Sequence, residues 1–243
     1  MDFGLDGRVA LVTASSRGLG RASADALAAE GAKVVVTGRG EQSLREAEAE
    51  LRRGGAEVLA VRADMADAAS PEALVRAAVE YFGRLDVVVA NAGGPPPGGA
   101  LDVSDEALRA AMESNFLASV RLARAAIPHM RERHWGRVCC ISSYTIVQAA
   151  PVLALSNTAR SALWAWVKTA AHDLAAEGAA ITVNVVCPGL HATERMQALG
   201  GSGGAPMGDP ADFGRVVAFL CSEPARFVSG AAIVVDGAST LAL

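Results

Sequence analysis

Seven short apolar runs rich in valine and isoleucine recur along the chain: Val9 to Thr13, Lys33 to Thr37, Val58 to Val61, Val87 to Ala90, Arg137 to Ile141, Ile181 to Val186 and Ile233 to Val235. Longer segments of helical period separate them, which is the pattern of repeated βαβ units. The runs are nearly continuous rather than alternating, so each strand needs cover on both faces, as in a parallel sheet between two helical layers. "EQSLREAEAELRR" predicts a helix closed by Gly54 and Gly55, and "PEALVRAAVEYF" predicts one opened by Pro71 and closed by Gly83. The expected architecture is one three-layer α/β domain over residues 1–243 without internal repeats.

A chain of 243 residues that is 51% hydrophobic can fill such a core. The net charge is −4 and the arginines are scattered, so no basic stripe offers itself to a nucleic-acid backbone. The start "MDFGLDGRVALVT" has no basic head followed by an apolar run, and no segment approaches the ~20 apolar residues that span a bilayer. A soluble, cytoplasmic protein without membrane partners is expected. Cys139, Cys140, Cys187 and Cys221 lack CxxC spacing and lie in or beside apolar runs. They read as small buried hydrophobes in a reducing compartment, and no metal site is expected.

Directly after the first run comes "TASSRGLGRASADALAAEG", a glycine-containing turn leading into a helix that closes at Gly31. A helix start in this setting presents unpaired N–H groups and a favourable dipole to a pyrophosphate. About 20 residues further on, dinucleotide folds usually place an acid for the adenosine ribose. Here stand Gly38 and Arg39. A carboxylate would repel a 2′-phosphate, whereas Arg39 and Arg17 could bracket one, so NADP(H) is expected over NAD(H). Two loops, Asn91 to Ala100 and Gly189 to Pro206, leave the ends of the fourth and sixth strands, where open α/β sheets bind ligands.

These residues resemble the short-chain dehydrogenase/reductase family over nearly the whole chain. Thr13, Gly18 and Gly20 resemble its TGxxxGxG turn, with Ala14 in place of the first glycine and Ser15, Ser16, Arg17 and Leu19 between. Asp64, with Met65 beside it, resembles the acidic residue at the adenine, and Asn91, Ala92 and Gly93 resemble the NNAG motif. Asn115 and Ser143 match the catalytic asparagine and serine; Pro188, Gly189 and Thr193 match the PGxxxT loop at the nicotinamide. The "NAGGPPPG" and "LSNTAR" stretches are similar to an atypical subgroup of β-ketoacyl carrier-protein reductase-like members. The resemblance implies a Rossmann-type, doubly wound, mostly parallel sheet of seven strands, commonly a homotetramer. It also implies hydride transfer between nicotinamide and a small-molecule carbonyl or alcohol.

Thirteen residues beyond Ser143, where the family carries its catalytic tyrosine, stands Ser156, and four further on Arg160 replaces the lysine. Positions i and i+4 share a helix face, here beside a stripe of Ala159, Leu163, Trp166, Ala170 and Leu174. Arginine can hold ribose hydroxyls but stays protonated and cannot relay a proton. Serine is a far weaker acid than tyrosine. Loss of a general acid removes roughly 10²–10⁴ in rate. Ser156 could equally cap the helix. Ser143 could bond locally, and Asn115 sits in the interior of a long helix opened near Ser104. His191 in the PGxxxT-like loop and Tyr144 beside Ser143 are the side chains that could supply a proton instead, with partial exposure and packing as the plainer readings. Lys168 lies two turns past Arg160 and reads as solvated. Two accounts follow: an NADP(H)-linked reductase with an altered catalytic tetrad, or a non-catalytic NADP(H)-binding sensor or structural subunit. Apolar helix faces near Ser104 and Asn157 would allow a homo-oligomer, dimer or tetramer.

Overall fold

The computed structural model describes residues 1–198 and 200–242. The apolar runs become β1 (Val9–Val12), β2 (Lys33–Gly38), β3 (Val58–Arg62), β4 (Val87–Ala90), β5 (Gly136–Ile141), β6 (Ile181–Pro188) and β7 (Ala232–Val235). They form one sheet in the order β3-β2-β1-β4-β5-β6-β7. Every neighbouring pair is parallel, so the sheet is wholly rather than mostly parallel. The helices are α1 (Gly18–Ala29), α2 (Glu41–Arg53), α3 (Ser70–Phe82), α4 (Asp105–Met112), α5 (Ala118–Glu132), α6 (Ala154–Ala176), α7 (Glu194–Ala198) and α8 (Pro210–Leu220).

Successive strand residues point to opposite faces, and in this chain both directions are apolar. Val9 and Leu11 meet Leu74 of α3, Leu122 and Met130 of α5, and Leu163 and Val167 of α6. Ala10 and Val12 meet Leu27 of α1, Leu44 of α2, and Phe213 and Val217 of α8. Each large side chain so buried contributes roughly 1.5–3 kcal/mol of transfer free energy, and two such cores account for the three layers. Helices α1 and α8 touch backbone to backbone at Gly214, where a Cβ would stand 2.2 Å from the Ala22 carbonyl oxygen. At the amino edge of the sheet Arg137 is 2% exposed. Its guanidinium donates to the carbonyls of Ser222, Gly136 and Ala180 and to Glu223, so this buried charge is fully engaged.

Local signals act where expected at most boundaries. Ser104 caps α4 by accepting from Ala107 N, and Gly83 closes α3 at φ 76°. Two expectations change. The long helix after Ser104 is interrupted by a π-helical turn at Glu113–Leu117, so Asn115 lies in that turn and not in a regular helix interior. The stripe on α6 is also rotated: Val167 and Ala171 are buried, whereas Trp166 and Ala170 are only half-buried. All four cysteines are buried as free thiols, and burial pushes those of Cys140 and Cys187 up to about 12. No helix among the described residues is long and apolar enough to cross a membrane.

Strand order reverses direction between β1 and β4, because the chain leaves the β3 edge and returns beside β1. That switch point opens a crevice at the carboxyl ends of the strands. The turn before α1, the Asn91 loop, the end of β5 and the loop after β6 all gather along this edge.

Candidate active site

The turn between β1 and α1 is built from below. Thr13 is fully buried and clasps β4, its Oγ1 donating to Asn91 O at 2.7 Å and accepting from Asn91 N at 2.8 Å. Ser15, also fully buried, donates to Val12 O and accepts from Thr37 N. These two hydroxyls support the turn from within. Ser16, Gly18 and Leu19 are half-buried and Arg17 is exposed, so they form that surface. Gly20 makes the close approach: a Cβ there would lie 2.5 Å from Ala14 O and 2.6 Å from Asn91 Nδ2. Ala14, at the family's first glycine position, takes φ 47°. A left-handed L-residue costs roughly 1–2 kcal/mol, so Ala14→Gly is expected to raise stability by up to about 1 kcal/mol after glycine's greater unfolded-state entropy is deducted. Chemical denaturation checks this; no gain would mean the turn carries no strain at Ala14.

Beyond the ends of β2 and β3, Arg39 and Asp64 are exposed and approach each other at 3.9 Å. Asp64 Oδ1 accepts from Ala66 N in a tight turn, and Met65 packs against the core. Arg17 pairs with Glu194 of α7 at 3.0 Å, and both are about 70% exposed. Exposed pairs are worth roughly 0–1 kcal/mol, so a phosphate can displace either carboxylate from its arginine. Ala92 and Gly93 continue the crevice floor beyond Asn91.

The residues at the four tetrad-like positions lie on the π turn (Asn115), after β5 (Ser143) and on α6 (Ser156 and Arg160). Asn115 is 3% exposed, and its Oδ1 is buried without a hydrogen-bond partner while its Nδ2 donates to Ser114 Oγ at 2.8 Å. Ser143 Oγ accepts from Thr145 N at 3.2 Å, so the local bond anticipated for it is present. Ser156 is buried near the start of α6, and its hydroxyl makes no hydrogen bond among the described residues. It is not the helix cap, since α6 begins at Ala154 with Leu153 in the cap position. Arg160, one turn further on the same face, is 8% exposed. One terminal nitrogen of its guanidinium donates to Ile141 O at 2.9 Å and Ser142 O at 2.7 Å. Burial first, and the positive charge of Arg195 second, push its pKa down to about 10.

The substitute proton donors fare differently. His191 is 5% exposed, not partly exposed; its Nδ1 faces Gly189 O at 3.2 Å and its ring meets Phe213 edge-on at 5.3 Å. Tyr144 is half-buried at the start of a short 3₁₀ turn beside Ser143. Lys168 is exposed, as expected, and its Nζ donates to Gly230 O at 3.1 Å. Pro188, Gly189 and Thr193 end β6 and begin the loop, where Thr193 Oγ1 accepts from Met196 N and the side chain lies 3.8 Å from the Cβ position of Gly18. Two residues absent from the sequence-based set border this space: Ser142, whose buried hydroxyl has no partner, and Arg195, which reaches Pro95 O at 3.2 Å. Arg195 lies in the Gly189 to Pro206 loop and Ser142 directly precedes Ser143, but no single motif position marks either residue.

A wholly parallel sheet wound outward in both directions from the β1/β4 crevice, with a glycine turn leading into α1, defines the Rossmann-type dinucleotide-binding class. Comparisons with known proteins narrow that class. The profile of a family described as enoyl-(acyl carrier protein) reductase matches residues 13–240. Human dehydrogenase/reductase SDR family member 4 is 35% identical, over 96% of this chain and 87% of its own length. An uncharacterised oxidoreductase of Methylorubrum extorquens is 36% identical over 96% of this chain and 98% of its own length. The structure of L-sorbose reductase from Gluconobacter frateurii, complexed with NADPH and L-sorbose, superposes with a TM-score of 0.92 at 32% identity over the full length of both chains. The chain belongs to the short-chain dehydrogenase/reductase family of oxidoreductases.

Proposed function

We propose that this chain is an NADP(H)-dependent oxidoreductase that transfers hydride to a ketone or 3-oxoacyl-like carbonyl through an altered tetrad on a single domain. The carrying observation is the cradle at the start of α1, where Gly20 seats against Ala14 O and Asn91 and no side chain can intrude. A helix start open in this way fits a pyrophosphate. Arg17 and Arg39, each in a displaceable exposed ion pair, fit the 2′-phosphate. The likeness to a reductase solved with NADPH points the same way.

When bound, the dinucleotide supplies the hydride. The Ser143 hydroxyl binds the substrate oxygen, joined by Ser156 from α6. Asn115, with its unpartnered Oδ1, holds a water at the π turn. Arg160 fixes the end of β5 beneath Ser143 and keeps its other N–H groups for the ribose. The proton comes from water or from His191, and with water as the donor the rate lacks the roughly 10²–10⁴ that a fixed acid contributes. Four buried thiols fit a reducing cytoplasm. Leu108 of α4 and Trp164 of α6, each 36% exposed, support a homo-oligomer through those helices.

Purified protein with NADPH and a panel of ketones tests the reading. Slow turnover that falls more than about tenfold in Ser143→Ala is expected, a loss of at least 1.4 kcal/mol of transition-state stabilisation. Turnover unaffected by Ser143→Ala contradicts it. One observation favours a second reading, a non-catalytic NADP(H)-binding protein: the clamp of Arg160 on two backbone carbonyls is structural.

A further inference from the structure

The loop after β6 does not stay beside its own strand. Across this part of the sheet the strands run β1-β4-β5-β6, and the phosphate turn follows β1. Thr193 nevertheless lies 3.8 Å from the Cβ position of Gly18 in that turn, and Glu194 pairs with Arg17 at 3.0 Å. Between Pro188 and Thr193 the chain therefore crosses the carboxyl ends of β5 and β4, three strand spacings or about 14 Å of sheet edge. Arg195, the next residue of α7, holds the loop after β4. Its terminal nitrogen donates to Pro95 O at 3.2 Å and lies 2.7 Å from the Cβ position of Gly94, a seat that any side chain there would fill. With Glu194 on one wall of the crevice and Arg195 on the other, one short helix ties the two walls together.

The two ends of this strap are built differently. Its base is fixed: Ala192 N donates to Gly208 O, Gly208 N donates to Leu190 O, and the His191 ring packs on Phe213 and against Gly208. Beyond α7, Gly200, Gly201, Gly203 and Gly204 hold φ between 61° and 93°, with nothing within 4 Å of their Cβ positions. Glycine takes that region without steric cost, and the open surroundings leave no packing to break. Helix α7 itself buries no side chain, so its polar ties and the Thr193 contact are what keep it in place. A dinucleotide seating its phosphates on the turn competes with Glu194 for Arg17, an exposed pair that yields easily. The Arg195 seat lies on the opposite wall.

We infer that α7 is a gate over the dinucleotide crevice, closed in the free chain, and that Arg195 is the positioning residue that latches it on Gly94 and Pro95. The dinucleotide enters and leaves when this latch opens, and α7 swings about the fixed His191 base. This deepens the proposed function and rests on it.

Stopped-flow fluorescence of NADPH binding to the full chain tests the gate through its rates. Arg195→Gln is expected to raise the association and dissociation rate constants alike, by about threefold or more, with Kd held within about twofold, because a gate alters the path and not the bound contacts. Arg195→Lys, which keeps the charge but loses the planar fork, lies between wild type and Arg195→Gln. Gly94→Ala reproduces Arg195→Gln by filling the seat while every charge stays in place, and Gly94 is not among the positive-φ glycines, so its backbone accepts alanine. Rate constants unchanged in Arg195→Gln or in Gly94→Ala overturn the inference and leave the proposed function standing. A rise in Kd for Arg195→Gln as large as the rise in its dissociation rate also overturns it, by making the guanidinium a direct contact of the dinucleotide. Failure of the wild-type chain to bind NADPH removes the underlying reading and the inference together.

Discussion

Ser156→Tyr combined with Arg160→Lys is expected to raise kcat/KM for simple ketones with NADPH by about 10²–10⁴, the contribution of a positioned general acid. Both positions lie on the inward face of α6 one turn apart, beside the end of β5, so the geometry for an acid and its partner cation is already present. Tyrosine titrates near 10, and an ammonium group nearby favours its ionised form, whereas serine has no accessible ionisation. The gain has a structural cost. Arg160 holds the Ile141 and Ser142 carbonyls, and a lysine can satisfy at most part of that arrangement, so stability should fall by about 1–3 kcal/mol. Steady-state kinetics beside thermal melting separates the two effects. A large gain identifies a pocket built for reduction that lacks its acid. No gain in a folded variant that still binds NADPH favours the non-catalytic reading.

Gly20→Val should reduce NADPH affinity by about a hundredfold or more and lower stability by about 1–3 kcal/mol. The obstacle to the added atoms is backbone, since a Cβ alone would sit 2.5 Å from Ala14 O. Backbone cannot rotate aside as a side chain can, so α1 must move away from the turn and from Asn91, which also donates from Nδ2 to Ala14 O at 3.2 Å. That motion opens the pyrophosphate cradle. A folded Gly20→Val variant with unchanged NADPH affinity would place the phosphates elsewhere.

How much of this was legible before the fold depends on the range of each interaction. The strands were legible because a doubly covered parallel strand must be continuously apolar, and Val87 to Ala90 appears with the same limits in chain and fold. Helix ends marked by Ser104 and Gly83 were legible because their hydrogen bonds are local. The π turn around Asn115 was not, because no cap, glycine or proline marks a single wide turn inside a helical run. The clamp of Arg160 reaches carbonyls 18 and 19 residues away, which no helical spacing encodes. The burial of His191 depends on a bridge to Gly208 and on Phe213, both distant in sequence. Arg195 was invisible for the same reason: its contact with Pro95 spans 100 residues. Structure carried by local spacing was readable, and contacts created by tertiary crossing were not.

Titration of the purified chain with NADPH and, separately, NADH, followed by calorimetry, tests the central claim most directly, because both functional readings require the cradle at Gly20 flanked by Arg17 and Arg39. Saturable binding of NADPH at least about tenfold tighter than NADH, with the difference lost in Arg39→Asp, is the expected result. Binding of neither nucleotide at millimolar concentration would contradict the account.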